Sequence, residues 1–174
     1  MKVNILEGET RLINLRTRMP FKYGIATMTD VPYAFLKLSV EIDGSRHEGY
    51  AADNLPPKWF TKIPETPLGE EMVEMLRVIE HARETAIGME ADSPFDLWLD
   101  LYEAQAQWGE SENLAPLLSG FGTSMVERAL IEATCRAIGK PFAVAVADND
   151  LGLSMDAIQV QMGATKPHEW LPTQ

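Results

Sequence analysis

Residues 35–52, FLKLSVEIDGSRHEGYAA, decide the fold of this chain. Polar residues separate four apolar ones, Leu36, Leu38, Val40 and Ile42. Strict alternation of this kind predicts a β-strand with one buried side and one side in water. The following Asp43-Gly44 predicts a two-residue type I′ hairpin turn, because that turn needs positive φ at both residues. A return strand is therefore predicted over Ser45 to Ala52.

The residues before this hairpin favour a further strand. Lys2 to Leu6 and Arg11 to Arg18 form one extended stretch that Gly8 interrupts. Together with the hairpin, these pieces predict an antiparallel meander of about three strands.

The segment from Asp53 to Pro67 breaks the β pattern. Its prolines are Pro56, Pro57, Pro64 and Pro67. Proline cannot donate to a strand ladder, so this segment is predicted to be a loop. The loop also carries Trp59 and Phe60. A long loop with large aromatic side chains is more often functional than a plain connector.

Three helices are predicted after this loop. The first begins at Thr66-Pro67 and ends before Gly88, and its apolar residues recur at helical spacing. These are Met72, Met75, Leu76, Ile79, Ala82 and Ala86. The second begins at Ser93-Pro94 and ends at Gly109. Its predicted apolar face consists of Phe95, Trp98, Leu99 and Tyr102.

The third helix is predicted to begin at Thr123 or Ser124, because Ser124 and Glu127 have the spacing of a capping box. Its apolar face consists of Val126, Leu130, Ala133 and Ala137, and Gly139 and Pro141 end it. A short helix over residues 142–146 is predicted to follow. Strands first and helices after them predict an α+β fold, a three-stranded antiparallel meander followed by a bundle of three or so helices.

Composition excludes several classes of function. The chain has 174 residues, 45% of them hydrophobic, and a formal net charge of −11. An acidic protein without a basic stripe is a poor partner for nucleic acid. The N-terminus lacks the pattern of a signal peptide, and no apolar run approaches the roughly 20 residues that span a bilayer. We therefore expect a cytoplasmic protein without a membrane partner.

Motifs for catalysis or metal binding are missing from the sequence. There is no phosphate loop, dinucleotide fingerprint, nucleophile elbow or zinc signature. Cys135 is the only cysteine, and within a helical pattern it is interpreted as an inert thiol. Metal ligation by Glu74, Glu80, His81 and Glu84 was the alternative to a solvated helix face, and the solvated face is favoured. No catalytic residue and no metal ligand is therefore assigned.

Several segments, in this order, resemble the N-terminal capping domain of the enolase superfamily, in its mandelate racemase and muconate-lactonising branch. They are Pro20-Phe21-Lys22-Tyr23-Gly24, Val40 to Gly44, Gly49-Tyr50, Ala129 to Ala133, and Gly139-Lys140-Pro141-Phe142. The resemblance covers about residues 1–145. It implies a capping domain over residues 1–146, with residues 147–174 as a linker or the start of a barrel, partly irregular.

The resemblance implies that two loops, Met19 to Thr29 and Ala51 to Thr61, close over the mouth of a barrel. The residues implied for substrate capping are Phe21, Lys22, Tyr23, Asp53, Trp59 and Phe60. Aromatic side chains supply apolar walls, and Lys22 or Asp53 meets a polar substrate group. The alternative for Phe21 and Phe60 is that they plug the end of the sheet.

Enzymes of this family abstract a proton next to a carboxylate with the help of Mg²⁺, and the residues that do so sit on the barrel. The resemblance therefore implies the lid of a racemase, dehydratase or cycloisomerase (an isomerase or lyase) that acts on a carboxylate such as an acid sugar. The chain ends about where a barrel would begin, so we expect no activity from it alone and Mg²⁺ only with a barrel. The expected partners are that barrel or a second copy of the chain. The alternative is a stand-alone binding or oligomerisation module.

Overall fold

The computed structural model describes residues 1–56, 58–60, 62–163 and 165–169. In this part of the chain, four antiparallel strands form one sheet in the order β3-β2-β1-β4. Their bounds are Val3–Tyr23 for β1, Ala26–Ile42 for β2, Ser45–Asn54 for β3 and Glu90–Ala91 for β4. The predicted meander is confirmed, and β4 adds a short strand at the edge, beside Val3 and Asn4.

The hairpin turn lies where the sequence predicts it. Asp43 has a φ of 47° and Gly44 a φ of 83°, which are the positive values that a type I′ turn requires. Ile42 and Ser45 pair across this turn, so the register of β2 against β3 is set locally.

Strands β1 and β2 extend further than the sequence pattern indicates. Only Gly24 and Ile25 form the turn between them, so the segment Met19–Thr29 is two strand ends and a tight turn. The prediction of a loop over this segment is therefore wrong. Strand β3 pairs with β2 only as far as Tyr33. Residues 14–32 consequently form a two-stranded ribbon that extends beyond the sheet.

The helices follow the sheet in the chain. Their bounds are Leu68–Ala86 for α1, Pro94–Ser111 for α2, Pro116–Ile138 for α3, Phe142–Ala147 for α4 and Met155–Ile158 for α5. Two 3₁₀ turns follow at Val160–Met162 and Pro167–Glu169. None of the described helices is long and apolar enough to cross a membrane.

Helix α3 begins seven residues before the predicted Thr123. Pro116 occupies its first position, where the missing N–H costs nothing. Ser124 therefore lies inside the helix, and its hydroxyl donates to the Phe121 carbonyl at 2.9 Å. The predicted capping box is wrong. The predicted end is confirmed, because Gly139 follows the helix with a φ of 66°.

The start of α2 is confirmed, but its end and its buried face differ from the prediction. Ser93 Oγ accepts the Asp96 N–H at 3.1 Å, as an N-cap should. Gly109 does not end the helix but lies buried within it. The buried face consists of Phe95, Leu97, Leu101, Gln105 and Gly109. Of the predicted set, only Phe95 is fully buried, and Tyr102 is exposed.

The core lies between one face of the sheet and the helices. Its buried side chains include Leu36, Leu38, Val40, Val78, Ile79, Leu97, Leu101, Met125, Val126 and Leu130. Strand β2 directs its predicted apolar face into this core, while Lys37 and Glu41 lie on the opposite side. The predicted α+β arrangement is confirmed.

Residues after α3 remain attached to the body of the protein. The Phe95 N–H donates to the Leu151 carbonyl at 3.0 Å, and the Leu151 side chain is buried. Lys140 Nζ donates to the carboxylates of Asp148 and Asp150 at 2.8 and 2.7 Å. The division of the chain at residue 146 into a cap and a linker remains a prediction.

Candidate functional site

A cleft of about 690 Å³ lies where three parts of the fold converge. These parts are the end of the ribbon, the loop after β3 and the first turns of α3. The described residues that line it are Phe21, Tyr23, Met28, Asp53, Asn54, Pro56, Trp59, Phe60, Pro116, Leu117, Gly120, Phe121 and Ser124. A concave, mainly apolar site with a few polar groups is the usual form of a small-molecule site.

The structure brings five of the six predicted capping residues together in this cleft. They are Phe21, Tyr23, Asp53, Trp59 and Phe60. Lys22 is exposed on the ribbon, where it pairs with Thr27. It is not among the described lining residues. Strand alternation explains the difference, because Lys22 points away from the side that Phe21 and Tyr23 share.

Aromatic rings line the cleft in two contacting groups. The ring centroids of Phe21 and Tyr23 lie 5.7 Å apart, and those of Tyr23 and Trp59 lie 6.1 Å apart in an edge-to-face arrangement. Phe60 packs against Phe121 with centroids 5.0 Å apart. The centroid distances of all three pairs lie in the range that is favourable for aromatic pairs.

The aromatic side chains of the cleft differ in how much of their surface is exposed to solvent. Trp59 is 55% exposed and Phe21 is 57% exposed, so both rings are available to a ligand. Phe60 is half-buried and packs against the hydrophobic core. Phe60 therefore both lines the cleft and packs on the core. Phe21 lines the cleft but does not plug the end of the sheet, because most of its side chain is exposed.

Asp53 is held by an arginine that the sequence did not single out. Arg128 Nη2 donates to Asp53 Oδ2 at 3.0 Å, and Arg128 Nη1 donates to the Ala52 carbonyl at 3.2 Å. Arg128 Nε donates to the Ser124 carbonyl at 3.1 Å. The guanidinium thus ties the end of β3 to α3, and it offsets the negative charge of Asp53 beside the cleft.

The wall contributed by α3 was missed by the sequence reasoning. Leu117, Gly120 and Phe121 lie in the part of α3 that precedes the predicted start at Thr123 or Ser124. The signal that could have found them is Pro116, because proline is favoured at the first position of a helix. Gly120 and Gly122 weaken the prediction of a helix there, since glycine has a low helix propensity.

The tyrosine of the cleft is a hydrogen-bond donor rather than an acid. Burial raises the pKa of Tyr23, and the negative charge of Glu71 raises it further. A neutral hydroxyl is the expected form near neutral pH. Among the described lining residues there is no histidine, cysteine or lysine. The cleft can therefore bind and enclose an apolar group, and the carboxylate among its described lining residues, Asp53, is held by Arg128.

The acidic face of α1 has structural partners. His81 Nδ1 lies 2.7 Å from Gln105 Oε1, and its ring stacks on Trp108 with centroids 3.7 Å apart. Glu80 accepts from Arg83 at 2.6 Å. Within the described ranges, no group of three or more histidine, cysteine, aspartate or glutamate side chains is arranged to hold a metal ion.

Cys135 lies in α3 in a half-buried position. Burial raises the pKa of its thiol, and the charges of Glu132 and Asp150 act in the same direction. Because the thiolate is the reactive form, this environment disfavours nucleophilic chemistry at the sulfur.

Comparison by sequence finds no relative. No protein-family model matches the chain, and no curated protein matches it at a significant level.

Comparison by structure finds several solved proteins. An enolase from alpha proteobacterium bal199 with bound Mg matches 82% of this chain with a TM-score of 0.58 and 18% identity. A mandelate racemase/muconate lactonizing enzyme-like protein from Rubrobacter xylanophilus matches 83% with a TM-score of 0.54 and 19% identity. An enolase from Bradyrhizobium complexed with magnesium and mandelic acid matches 82% with a TM-score of 0.50 and 16% identity.

The chain spans about a third of the length of these proteins, with 34%, 33% and 34% of them covered. The matched part is their N-terminal region. The antiparallel sheet followed by helices matches the N-terminal domain of the bal199 enolase. This chain therefore has the fold of the N-terminal domain of mandelate racemase and muconate-lactonising enzymes of the enolase superfamily.

Proposed function

We propose that this chain is the substrate-capping domain of an enolase-superfamily racemase, dehydratase or cycloisomerase that acts on a carboxylate. The observation that carries the proposal is the cleft, because the predicted capping residues of the ribbon and of the loop after β3 meet there. Two segments distant in sequence thus form one concave, aromatic surface. A lid of this kind excludes water from a reacting centre beneath it.

The lining favours a substrate with an apolar side over a polyhydroxylated acid sugar. Five of the described residues that line the cleft are aromatic: Phe21, Tyr23, Trp59, Phe60 and Phe121. The carboxylate of Asp53 is already paired with Arg128. A sugar would bring several hydroxyl groups to a lining whose described hydrogen-bonding groups are few, and unpaired polar groups are costly to bury. The substrate carboxylate would then face the barrel.

The chemistry would come from outside this chain. The described residues do not supply the carboxylate cluster that a Mg²⁺ ion needs. We therefore assign Mg²⁺, the acid and the base to a barrel partner. In this proposal the chain binds and orients the apolar part of the substrate and keeps water out.

The proposal is tested on the protein that joins this chain to a barrel. The assay follows exchange of the α-proton for deuterium by NMR, with Mg²⁺ present, for mandelate and for gluconate. We expect exchange of mandelate, and no exchange by the 174-residue chain alone. Exchange by this chain alone, or the absence of a barrel reading frame at the locus, would overturn the proposal.

Two variants separate the cleft from the rest of the ribbon in the same assay. Trp59→Ala should raise KM for mandelate about tenfold with little change in kcat, because an aromatic contact contributes equally to bound substrate and transition state. Lys22→Ala is the matched control, since Lys22 is exposed outside the described lining. A larger effect of Lys22→Ala would show that a polar contact on the ribbon selects the substrate.

A second candidate function is a stand-alone module that self-associates. The ribbon and the strand leading into it expose several large apolar side chains, namely Leu12, Ile13, Leu15, Met19 and Ile25. Such side chains on a two-stranded element mark a surface that meets another protein. Light scattering on the purified chain tests this function, with Leu12→Ser/Ile13→Ser as the disrupting variant. A monomer at high concentration would count against self-association.

A further inference from the structure

Lys58 makes several contacts that hold the loop carrying Trp59 and Phe60. Lys58 Nζ donates to the Ile63 carbonyl at 2.8 Å and to the Thr66 carbonyl. Its backbone N–H donates to Glu71 Oε2 at 3.2 Å. The Lys58 side chain therefore contacts two later positions of its own loop. The Lys58 backbone connects the same loop to Glu71 of α1.

The ammonium of Lys58 forms a buried ion pair. Lys58 Nζ lies 3.5 Å from Glu71 Oε1, and the two side chains are 13% and 4% exposed. Glu71 lies in the first turn of α1, where the helix dipole also favours a negative charge. Ion pairs this far from water are weakly screened by salt, and removing one partner leaves the other charge buried.

The backbone at Lys58 is also unusual. Its φ is 56°, in the left-handed region that residues other than glycine rarely occupy. Such a conformation persists only where surrounding contacts impose it. Among the described residues, the contacts at this position include those of the Lys58 amide and ammonium. Lys58 therefore has the positive φ and also makes interactions that help to hold it.

These contacts determine where the next two side chains lie. Trp59 and Phe60 follow Lys58 directly and line the cleft, whereas Lys58 itself is not among the described lining residues. Trp59 reaches the ring of Tyr23 on the ribbon, and Phe60 reaches Phe121 on α3. A change in the backbone at Lys58 would move both contacts.

We propose that Lys58 is a positioning residue, whose ion pair with Glu71 holds the loop so that Trp59 and Phe60 form the wall of the cleft before any ligand binds. The lid is thus preorganised rather than closed by substrate. Preorganisation lowers the entropy that binding must overcome. This role rests on the proposed function of the cleft, but it is measured on this chain without substrate or barrel.

Hydrogen exchange of peptides covering residues 55–67 tests the proposal on the 174-residue chain. Lys58→Met and Glu71→Gln should each speed exchange in this loop by about tenfold or more, the effect of losing one charge-assisted interaction. Lys58→Gly should do the same, although glycine suits the positive φ, because it also lacks the ammonium. The matched controls are Lys62→Met in the same loop and Glu70→Gln in the same helical turn, since both side chains are exposed.

The double variant Lys58→Met/Glu71→Gln distinguishes a pair from two independent residues. We expect its loop exchange to equal that of either single variant, because coupled residues are not additive. Acrylamide quenching of Trp59 fluorescence should increase in the same variants. The signal of Trp59 is obtained by subtracting the fluorescence of the matching variant that also carries Trp59→Phe.

Three results would overturn the proposal. One is unchanged loop exchange in Lys58→Met and Glu71→Gln. Another is additive effects in the double variant, which would mean that the two residues act separately. The last is faster exchange throughout α1 and α3, which would indicate general destabilisation rather than control of the loop.

Discussion

Gly49 of β3 lies directly against the backbone of Ala129 in α3. A Cβ atom on Gly49 would lie 2.0 Å from the Ala129 carbonyl oxygen and 2.8 Å from the Ala133 Cβ. The missing side chain therefore lets the helix rest on the sheet at a distance that no other residue permits. The first turns of the same helix line the cleft, so this contact also sets the position of the cleft wall.

Gly49→Ala is expected to destabilise the fold by about 3 kcal/mol, because the new methyl group meets backbone atoms that cannot move aside. Urea denaturation measures the change. Gly69→Ala is the control, since nothing lies within 4 Å of a Cβ at that position. Equal stability of the Gly49 variant and the wild type would show that α3 can shift on the sheet.

Two glycines of α3 should respond in opposite ways to the same substitution. A Cβ on Gly122 would lie 2.0 Å from the Val78 carbonyl oxygen of α1, whereas a Cβ on Gly120 meets nothing within 4 Å. Gly122→Ala should therefore cost about 3 kcal/mol, and Gly120→Ala should stabilise the helix by up to about 1 kcal/mol. Thermal unfolding of the two variants side by side is the measurement. The same sign for both would contradict the close packing of α1 on α3.

Glu127 gives a prediction on pH. It lines a small, mainly apolar pocket with Phe95 and Leu151 among its neighbours. Burial raises the pKa of Glu127 above its ordinary value of 4.5, and Arg128 opposes the shift only in part. The contribution of this carboxyl to stability is greatest below the unfolded pKa and is lost as pH rises through the folded pKa.

Glu127→Gln should therefore be more stable than the wild type at pH 7.5, and the gap should close as the pH approaches 4. Urea midpoints at several pH values measure this. Glu103→Gln on the exposed side of α2 is the control for loss of a surface carboxylate. A gap that widens at low pH would contradict the predicted direction.

The attachment of the tail is tested by shortening the chain. A fragment of residues 1–146 lacks Leu151 and the hydrogen bond that its carbonyl accepts from Phe95. We expect it to be less stable than a fragment of residues 1–153 by about 3 kcal/mol, chiefly from the lost burial of Leu151. Leu151→Ala in the full chain should show a loss of similar size. Equal stability of the two fragments would support a domain boundary at residue 146.

Some features were predictable because neighbouring residues decide them. The turn at Asp43-Gly44 depends on two residues that tolerate positive φ, and the N-cap at Ser93 depends on a hydroxyl three residues before Asp96. The alternation in β2 predicted its buried face for the same reason. These signals are complete within a few residues, so no distant contact was needed to interpret them.

Other features depend on distant contacts that the sequence does not display. Gly120 and Gly122 both have a low helix propensity, but Gly122 is needed where α3 crosses α1. Gly109 likewise lies inside α2 because its missing Cβ makes room for Ser119, with which a side chain would collide at 2.5 Å. In both cases packing overrides the weak helix propensity of glycine.

The sequence by itself determined the α+β class, the hairpin and most helix ends. Each of these follows from local hydrogen bonding or from the period of apolar residues. Only the tertiary structure decided that Phe121 and Arg128 belong beside the cleft and that Lys58 turns inward to Glu71. Those pairings join segments far apart in the chain, and close packing of the folded core, rather than local preference, brings them together.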